Sequence, residues 1–310
     1  MLITEGWEEN ISVDTMPKTI LSLKEVKKSY KSKEVLKGIS FDIRAGDVLG
    51  FIGPNGVGKT TTIKAITGLI DISGGEIVIN RDIENFKIGL VLDQNCLYSN
   101  FTAKENMELF LRMFSEMSMG VIDQYLELVG LLDVKNKRID TFSKGMKRRL
   151  VLARTLAIDP NLLILDEPFD GLDVHSQVIM TGILKEWVRK GERCILYTSH
   201  DMAEVENLCN KVCFIKDGKI ALQGTLEELL KHDFSSLRIV PRENEQAILA
   251  CLNGHYVSFR EKNGELWFEI KEEEADSIID KLYDSGIRVR EVNKVYHNLT
   301  DLYVRLNANE

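Results

Sequence analysis

Gly53-Pro54-Asn55-Gly56-Val57-Gly58-Lys59-Thr60 is the stretch whose reading decides the fold. It follows an apolar run, Val48-Leu49-Gly50-Phe51-Ile52, and leads into Thr61-Thr62-Ile63-Lys64-Ala65-Ile66, which has helical character. Glycines at this spacing let backbone N–H groups close around phosphate oxygens, and the strand–loop–helix context is what the motif needs to be believed. Lys59 is spaced to reach β- and γ-phosphates, and the Thr60 hydroxyl to hold Mg²⁺. The helix that starts here aims its positive N-terminal end at the same anion.

Outward from that loop, the pattern is one of alternating strands and helices. On the N-terminal side, Gly46-Asp47 is a turn, and alternating stretches between Ile20 and Ile43 read as strands. Downstream, Gly74-Gly75 and Asn80 bracket a strand from Glu76 to Ile79, and a mostly helical stretch runs from Thr102 to about Gly130. Leu109, Phe110, Met113 and Phe114 recur there at helical spacing and read as its core-packing face. Leu162-Leu163-Ile164-Leu165 is a continuous apolar run that stops at Asp166, as a parallel strand buried on both faces does. Cys194-Ile195-Leu196-Tyr197 is a second such run, ending at Thr198-Ser199-His200, and a helix from Val174 to Lys190 makes the pair a βαβ unit. Carboxyl ends of such strands are where open α/β sheets place their sites.

Asp166-Glu167 sits at one of those ends. An Asp there can hold Mg²⁺ through water and complete a cation site with Thr60, while the adjacent Glu can orient or deprotonate a water aimed at a γ-phosphate. Two consecutive acids usually mark a solvated loop. This pair caps a buried strand downstream of a phosphate loop and precedes Pro168, which favours the functional reading.

After Leu230 the texture changes. Strands over Ser236–Val240, Tyr256–Arg260, Leu266–Ile270 and Val289–Val295 alternate with helices over Glu245–Leu252 and Glu274–Asp284. The order β-α-β-β-α-β is the split βαβ pattern of a small second domain.

The 310 residues suffice for one large or two smaller domains. A hydrophobic share of 44% with 28% charged residues is that of a globular protein, and the net charge of −8 argues against nucleic acid as a partner. No apolar stretch reaches the roughly 18 residues of a membrane span, and Met1 to Asp14 has acids but no apolar core, unlike a secretory signal. The five cysteines are odd in number and widely spread, which fits reduced thiols. Cys209 and Cys213 have no neighbouring pair to complete a tetrahedral metal site.

These elements together resemble the ATP-binding subunit of an ABC transporter, over about Thr19 to Leu230 and in that family's order. Tyr30 stands where the family stacks an aromatic on adenine, and Val35 where an aliphatic side chain touches the nucleotide. Gly53 to Thr61, with Asn55, Gly56, Gly58, Lys59, Thr60 and Thr61, is the phosphate loop. Gln94 matches the glutamine that reports Mg²⁺ and γ-phosphate to the membrane partner. Ser143-Lys144-Gly145-Met146 stands at the signature motif, Leu163 to Glu167 at the second nucleotide motif, Gly171-Leu172-Asp173 at the loop that crosses the dimer interface, and His200 at the switch histidine. The signature departs from the commonest Leu-Ser-Gly-Gly-Gln: Phe142, Lys144 and Met146 replace Leu, the first Gly and Gln, while Ser143 and Gly145 remain. A hydroxyl and an unobstructed backbone N–H at a helix N-terminus are the groups that can meet a phosphate. Lys147-Arg148-Arg149, next in line, reads as a solvated helix face.

The resemblance implies a P-loop NTPase cassette, with an antiparallel β subdomain and a helical subdomain, over residues 18–232. Residues 1–17 are then an N-terminal extension and 233–310 an accessory domain. It implies ATP and Mg²⁺, a head-to-tail pair with a second ABC cassette (a homodimer), and a separate integral membrane permease that holds the chain at the cytoplasmic face of the membrane. Glu167, His200 and Lys59 are the implied catalytic residues. Thr60, Gln94 and Asp166 are the implied metal ligands. Ser143 and Gly145 would face the other cassette's nucleotide. Leu97, Tyr98 and Phe101, just after Gln94, are a candidate socket for a permease helix. The Ser-Lys-Gly-Met variant, the C-terminal domain and the closing Asn298-Leu299-Thr300-Asp301-Leu302-Tyr303 are similar to the ATPases of type-2 exporters. An importer subunit or a soluble regulatory ABC ATPase are the alternatives.

Overall fold

The computed structural model describes residues 17–31, 33–80, 82–92, 96–114, 120–230, 234–242, 245–271, 274–295 and 298–308. The expected N-terminal extension, Pro17 apart, and Gln94 lie outside the described residues. The chain divides into two compact units.

The first unit comprises Met1–Leu49, Asn55–Thr198 and Asp217–Lys219. Its strands and helices are β1 (Thr19–Tyr30), β2 (Lys33–Arg44), the start of β3 (Val48–Ile52), α1 (Lys59–Ile66), β4 (Gly74–Ile79), β5 (Ile88–Val91), α2 (Ala103–Leu111), α3 (Val121–Leu128), α4 (Lys144–Ala157), β6 (Leu162–Asp166), α5 (Val174–Val188) and β7 (Cys194–Ser199). An antiparallel sheet runs β2-β1-β4. In β2 the apolar residues Leu36, Ile39, Phe41 and Ile43 are buried between more exposed neighbours, the signature of a sheet wet on one side. By contrast β5, β6 and β7 pair in parallel, and every residue of β6 and β7 is buried. That burial is why their sequences are uninterrupted apolar runs that end in polar residues.

The helices α2, α3 and α4 enclose a core of their own, with Met107, Leu111, Leu126 and Leu150 at its centre. The expected face on α2 is corrected here. Ala103, Met107 and Leu111, at i, i+4 and i+8, make the buried stripe, so Leu109 and Met113 fall on the other side, with Met113 77% exposed. Phe110 and Phe114, half-buried, do pack against this core as expected. The basic run on α4 is also not a solvated face. Arg148 is buried and donates from Nη1 to the Leu92 carbonyl at 2.8 Å, and Arg149 donates to the Val129 carbonyl at 2.9 Å. The two guanidinium groups serve the backbone carbonyls just past the ends of β5 and α3, a use of arginine that charge counting does not reveal.

The second unit comprises Gly50–Pro54, Ser199–Lys216 and Ile220–Glu310. It holds the end of β3, α6 (Met202–Leu208), β8 (Lys211–Lys216), nearly all of β9 (Lys219–Thr225) and α7 (Leu226–Leu230), with β3, β8 and β9 adjacent in that order. Then follow β10 (Phe234–Pro241), α8 (Glu245–Leu252), β11 (Ser258–Lys262), β12 (Glu265–Lys271), α9 (Ala275–Asp284), β13 (Val289–Val295) and α10 (Leu299–Ala308). The sheet order β11-β12-β10-β13, all antiparallel, is that of a split βαβ fold. Leu237, Ile239, Leu266, Phe268 and Ile270 face Ile248, Leu252, Ile278 and Leu282 of α8 and α9. The strand expected from Tyr256 begins at Ser258, and the Tyr256 ring instead lies 5.1 Å from that of Phe268. No helix among the described residues is long and apolar enough to cross a membrane.

Candidate functional site

The loop between β3 and α1 takes a shape that glycine allows. Gly56 and Gly58 have φ of 79° and 121°, values that a side chain at either position would strain. The chain then turns at once into α1, whose first turn is closed by the Thr62 N–H and the Thr62 hydroxyl, both donating to the Gly58 carbonyl at 2.8 and 3.0 Å. Thr62, Ile63 and Ile66 are buried and anchor the start of this helix. Lys59 is only 6% exposed. Burial lowers its pKa from the ordinary lysine value, and the carboxylates of Glu167 and Asp166 act against that shift.

The acidic wall comes from the parallel ladder. Register pairs Asp166 at the end of β6 with Thr198 on β7. The Thr198 hydroxyl donates to Asp166 Oδ1 at 2.6 Å, and the Thr60 hydroxyl lies 3.5 Å from Asp166 Oδ2. The Glu167 N–H donates back to Thr198 Oγ1 at 3.1 Å. Glu167 itself has φ of 48°, an uncommon conformation for a side-chain-bearing residue and one that clusters at functional positions. Asn55, Gly56, Gly58, Lys59, Thr60, Thr61, Asp166, Glu167 and Asp170 together line a cavity of about 340 Å³. A buried cation, a helix N-terminus and a glycine loop, together with three carboxylates in the same lining, can hold a polyanion and place a base against it.

Among the described residues no group of three or more His, Cys, Asp or Glu is arranged to bind a metal unaided. The Thr60 hydroxyl and the Asp166 carboxylate nonetheless supply two hard oxygens side by side. That donor set suits Mg²⁺, which keeps several waters and takes the rest of its shell from substrate phosphates.

Several expected residues lie away from this cavity's lining. Tyr30, at the end of β1, is exposed, with the Lys28 ammonium 5.0 Å from its ring centroid, and Val35 on β2 is half-buried. His200 directly follows β7 and is exposed. Ser143 is the N-cap of α4, accepting from the Met146 N–H at 3.2 Å. Gly145 lies against the loop before α5: a Cβ built on it would be 3.4 Å from Leu172 Cδ2 and 3.9 Å from Asp173 Oδ2. Asp173 caps α5, accepting from the N–H and hydroxyl of Ser176 at 2.9 Å each, which holds its carboxyl below the ordinary carboxylate pKa. The start of α4 therefore packs against the loop before α5, and neither Ser143 nor Gly145 lines the cavity.

Sequence reasoning missed Asp170. It lines the cavity and also accepts from Lys144 Nζ at 2.8 Å, so it links the cavity to the turn at Ser143. Lys144 was visible as a departure from the usual signature, but its partner, 26 positions on, carried no motif. Thr198 was also unassigned. Its position opposite Asp166 in a parallel pair was the signal available.

Comparison with known proteins places these features in context. The family described as ABC transporter matches residues 36–170. The ABC transporter ATP-binding protein YhcH of Bacillus subtilis is 33% identical over 94% of this chain and 97% of its own length. Nod factor export ATP-binding protein I of Rhizobium meliloti is 33% identical over 95% and 90%. The linearmycin resistance ATP-binding protein LnrL of Bacillus subtilis is 37% identical over 68% and 70%. Among solved structures, one described as the ATP binding subunit of an ABC transporter superposes with a TM-score of 0.62 at 27% identity, covering 68% of this chain and 92% of its own.

Proposed function

The chain belongs to the ATP-binding proteins of ABC transporters, and on that premise we propose that it is the ATP-hydrolysing motor of an exporter, working on a separate membrane permease. ATP binding and hydrolysis come with the family. The observation that carries the rest is the cavity that gathers Lys59, Thr60, Asp166 and Glu167. Export rather than import is favoured by the relatives named for Nod factor export and linearmycin resistance.

In this reading the backbone N–H groups of the loop and Lys59 hold the β- and γ-phosphates. Thr60 and Asp166, and by the family resemblance Gln94, would hold Mg²⁺, which would supply neutralisation of phosphate charge. Thr198 fixes the rotamer of Asp166, leaving its second oxygen toward Thr60. Glu167, set by its backbone N–H on Thr198, accepts a proton from the attacking water. Tyr30 and Val35 take the adenine side. His200 donates to the γ-phosphate. Ser143 and Gly145 meet the γ-phosphate of a second cassette across a head-to-tail dimer, so two copies complete two sites.

The exposed Tyr98 and Phe101, stacked with centroids 5.5 Å apart, support a permease contact on the helical part. Leu97, the third residue of that socket, is half-buried and packs against the helical core. Residues 18–232 are the motor and 233–310 an accessory domain in this scheme, held at the cytoplasmic face of the membrane by the permease.

Lys59→Ala tests the cavity directly. Nucleotide affinity and phosphate release should both be lost, and retained ATP binding would show that the phosphates sit elsewhere.

A further inference from the structure

The C-terminal helix α10 is held at both ends by the segment that follows His200. At its start the helix caps itself: the Asp301 N–H donates to Asn298 Oδ1 at 2.9 Å, and the Asn298 N–H donates to Asp301 Oδ2 at 3.2 Å. The amide of Leu299, the first helical residue, is not served by that exchange, and it donates to Glu206 Oε1 of α6. At the far end the Leu306 carbonyl accepts from Lys216 Nζ, the last residue of β8, at 3.3 Å. Between them Leu299 is fully buried, and the Tyr303 ring lies 6.0 Å from that of Phe214. A helix carries partial positive charge at its N-terminus and negative charge at its C-terminus. A carboxylate at one end and an ammonium at the other match both, so charge as well as packing sets where α10 lies on α6 and β8.

Helix α6 is in turn the continuation of His200. Asp201 caps it, accepting from the Ala203 N–H at 2.8 Å. Ser199, on the other side of His200, donates from its hydroxyl to Glu204 Oε2 at 2.7 Å and accepts the Asp201 N–H at 3.0 Å. Both neighbours of His200 are thus tied to α6, and a displaced α6 carries His200 with it. Another flank of α6 rests on β3: a Cβ on Gly50 would stand 2.8 Å from Val205 Cγ1 and 3.1 Å from Cys209 Sγ. The helix thus packs against β3 through Val205 and Cys209 and is bonded to α10 through Glu206.

We propose that Glu206 is a positioning residue for hydrolysis: through it the C-terminal helix holds α6, and with α6 the switch histidine, at the setting that catalysis needs. The inference rests on the role proposed above for His200. It gives the C-terminal segment a task in the ATPase cycle, since whatever draws α10 away from α6 would slow hydrolysis without touching the nucleotide.

The test uses the full chain with Glu206→Ala, Glu206→Gln and His200→Ala, read by ATP turnover and by hydrogen–deuterium exchange. A misplacement of about 1 Å at a catalytic group costs on the order of 10²-fold, and partial loss of one support should cost about tenfold. Glu206→Ala should therefore lower kcat about tenfold with KM for ATP held, and raise amide exchange across Met202–Leu208. Glu206→Gln, which keeps an acceptor oxygen, should recover most of the loss. In a His200→Ala background Glu206→Ala should add nothing, because both act at one point. Unchanged exchange across α6, or an equal loss of kcat in both backgrounds, overturns the proposal. If Glu206→Ala does not fold, Tyr303→Ala is read in the same way. If His200→Ala turns over at the wild-type rate, it is the role of His200 that fails, and the exchange across α6 alone decides the clamp.

Discussion

Replacing Gly145 by alanine should separate folding from catalysis. Gly145 is the second residue of α4, in helical backbone, and an added methyl would meet Leu172 Cδ2 at 3.4 Å, Ser176 Oγ at 3.8 Å and Asp173 Oδ2 at 3.9 Å. Those are ordinary van der Waals separations, so the chain's own interior accepts the methyl. Alanine is favoured over glycine within a helix by roughly 0.5–1 kcal/mol, so Gly145→Ala should unfold at the same or a slightly higher denaturant concentration with an unchanged m-value. Catalysis should respond differently. In the proposed dimer the Gly145 N–H approaches the partner's γ-phosphate, and a methyl beside it holds the phosphate off. Loss of one preorganised donor to a developing oxyanion costs on the order of 10²–10³-fold. Phosphate release at saturating ATP should therefore fall about 10²-fold, while binding of nucleotide by the chain's own cavity is retained, because Gly145 does not line it. Chemical unfolding, nucleotide titration and a phosphate-release assay on one preparation give all three numbers. Full hydrolysis by Gly145→Ala, or a loss of hydrolysis that merely tracks a loss of stability, would refute the argument that a second chain completes the site.

Three further outcomes follow from the same geometry. Glu167→Gln should slow turnover by about 10²–10⁴-fold, the usual contribution of a general base, and accumulate an ATP-bound dimer; wild-type turnover would remove Glu167 from the mechanism. Thr198→Val leaves Asp166 Oδ1 without its 2.6 Å donor in a buried setting. It should cost about 1.5–3 kcal/mol, the range for hydrogen bonds to charged groups, seen as a lower unfolding midpoint together with weaker Mg²⁺-dependent hydrolysis, and an unchanged value of both would contradict the assigned bond. Asp173 has a folded-state pKa below its unfolded one through Ser176, so its contribution is present above the ordinary carboxylate pKa and lost as pH falls through the depressed value. Asp173→Asn should flatten that part of the stability–pH curve measured by acid titration of the unfolding midpoint, and an unaltered acid limb would argue against the cap.

Much of the fold was legible because burial leaves a mark on sequence. The runs at Leu162–Leu165 and Cys194–Tyr197 became strands covered on both faces, and the loop of glycines before Lys59 took the positive φ angles that only such residues take freely. Hairpins were less visible in an apolar scan. Asp217-Gly218 and Asn263-Gly264 each show two consecutive positive φ values, the turn that joins β8 to β9 and β11 to β12, and the Asp-Gly and Asn-Gly pairs were the available signals. The face of α2 was misjudged because two apolar stripes share one helix, and only packing against α3 and α4 decides which is inside. At the site, residues joined by a motif could be read together, whereas Asp170 and Thr198 owe their positions to partners 26 and 32 residues away. Arg148 shows the same limit: a charge run looks solvated until a loop carbonyl claims one of its members.

The central claim is that ATP is split in a cleft formed by Lys59, Thr60, Asp166 and Glu167 and closed by another copy's Ser143 and Gly145. A crystal structure of Glu167→Gln grown with ATP and Mg²⁺ tests it most directly. The account predicts two chains head to tail, the γ-phosphate against Lys59, the metal between Thr60 and Asp166, and the Ser143 hydroxyl of the opposite chain on the same phosphate. A triphosphate bound away from Lys59 and Asp166, or one enclosed by a single chain alone, would contradict it.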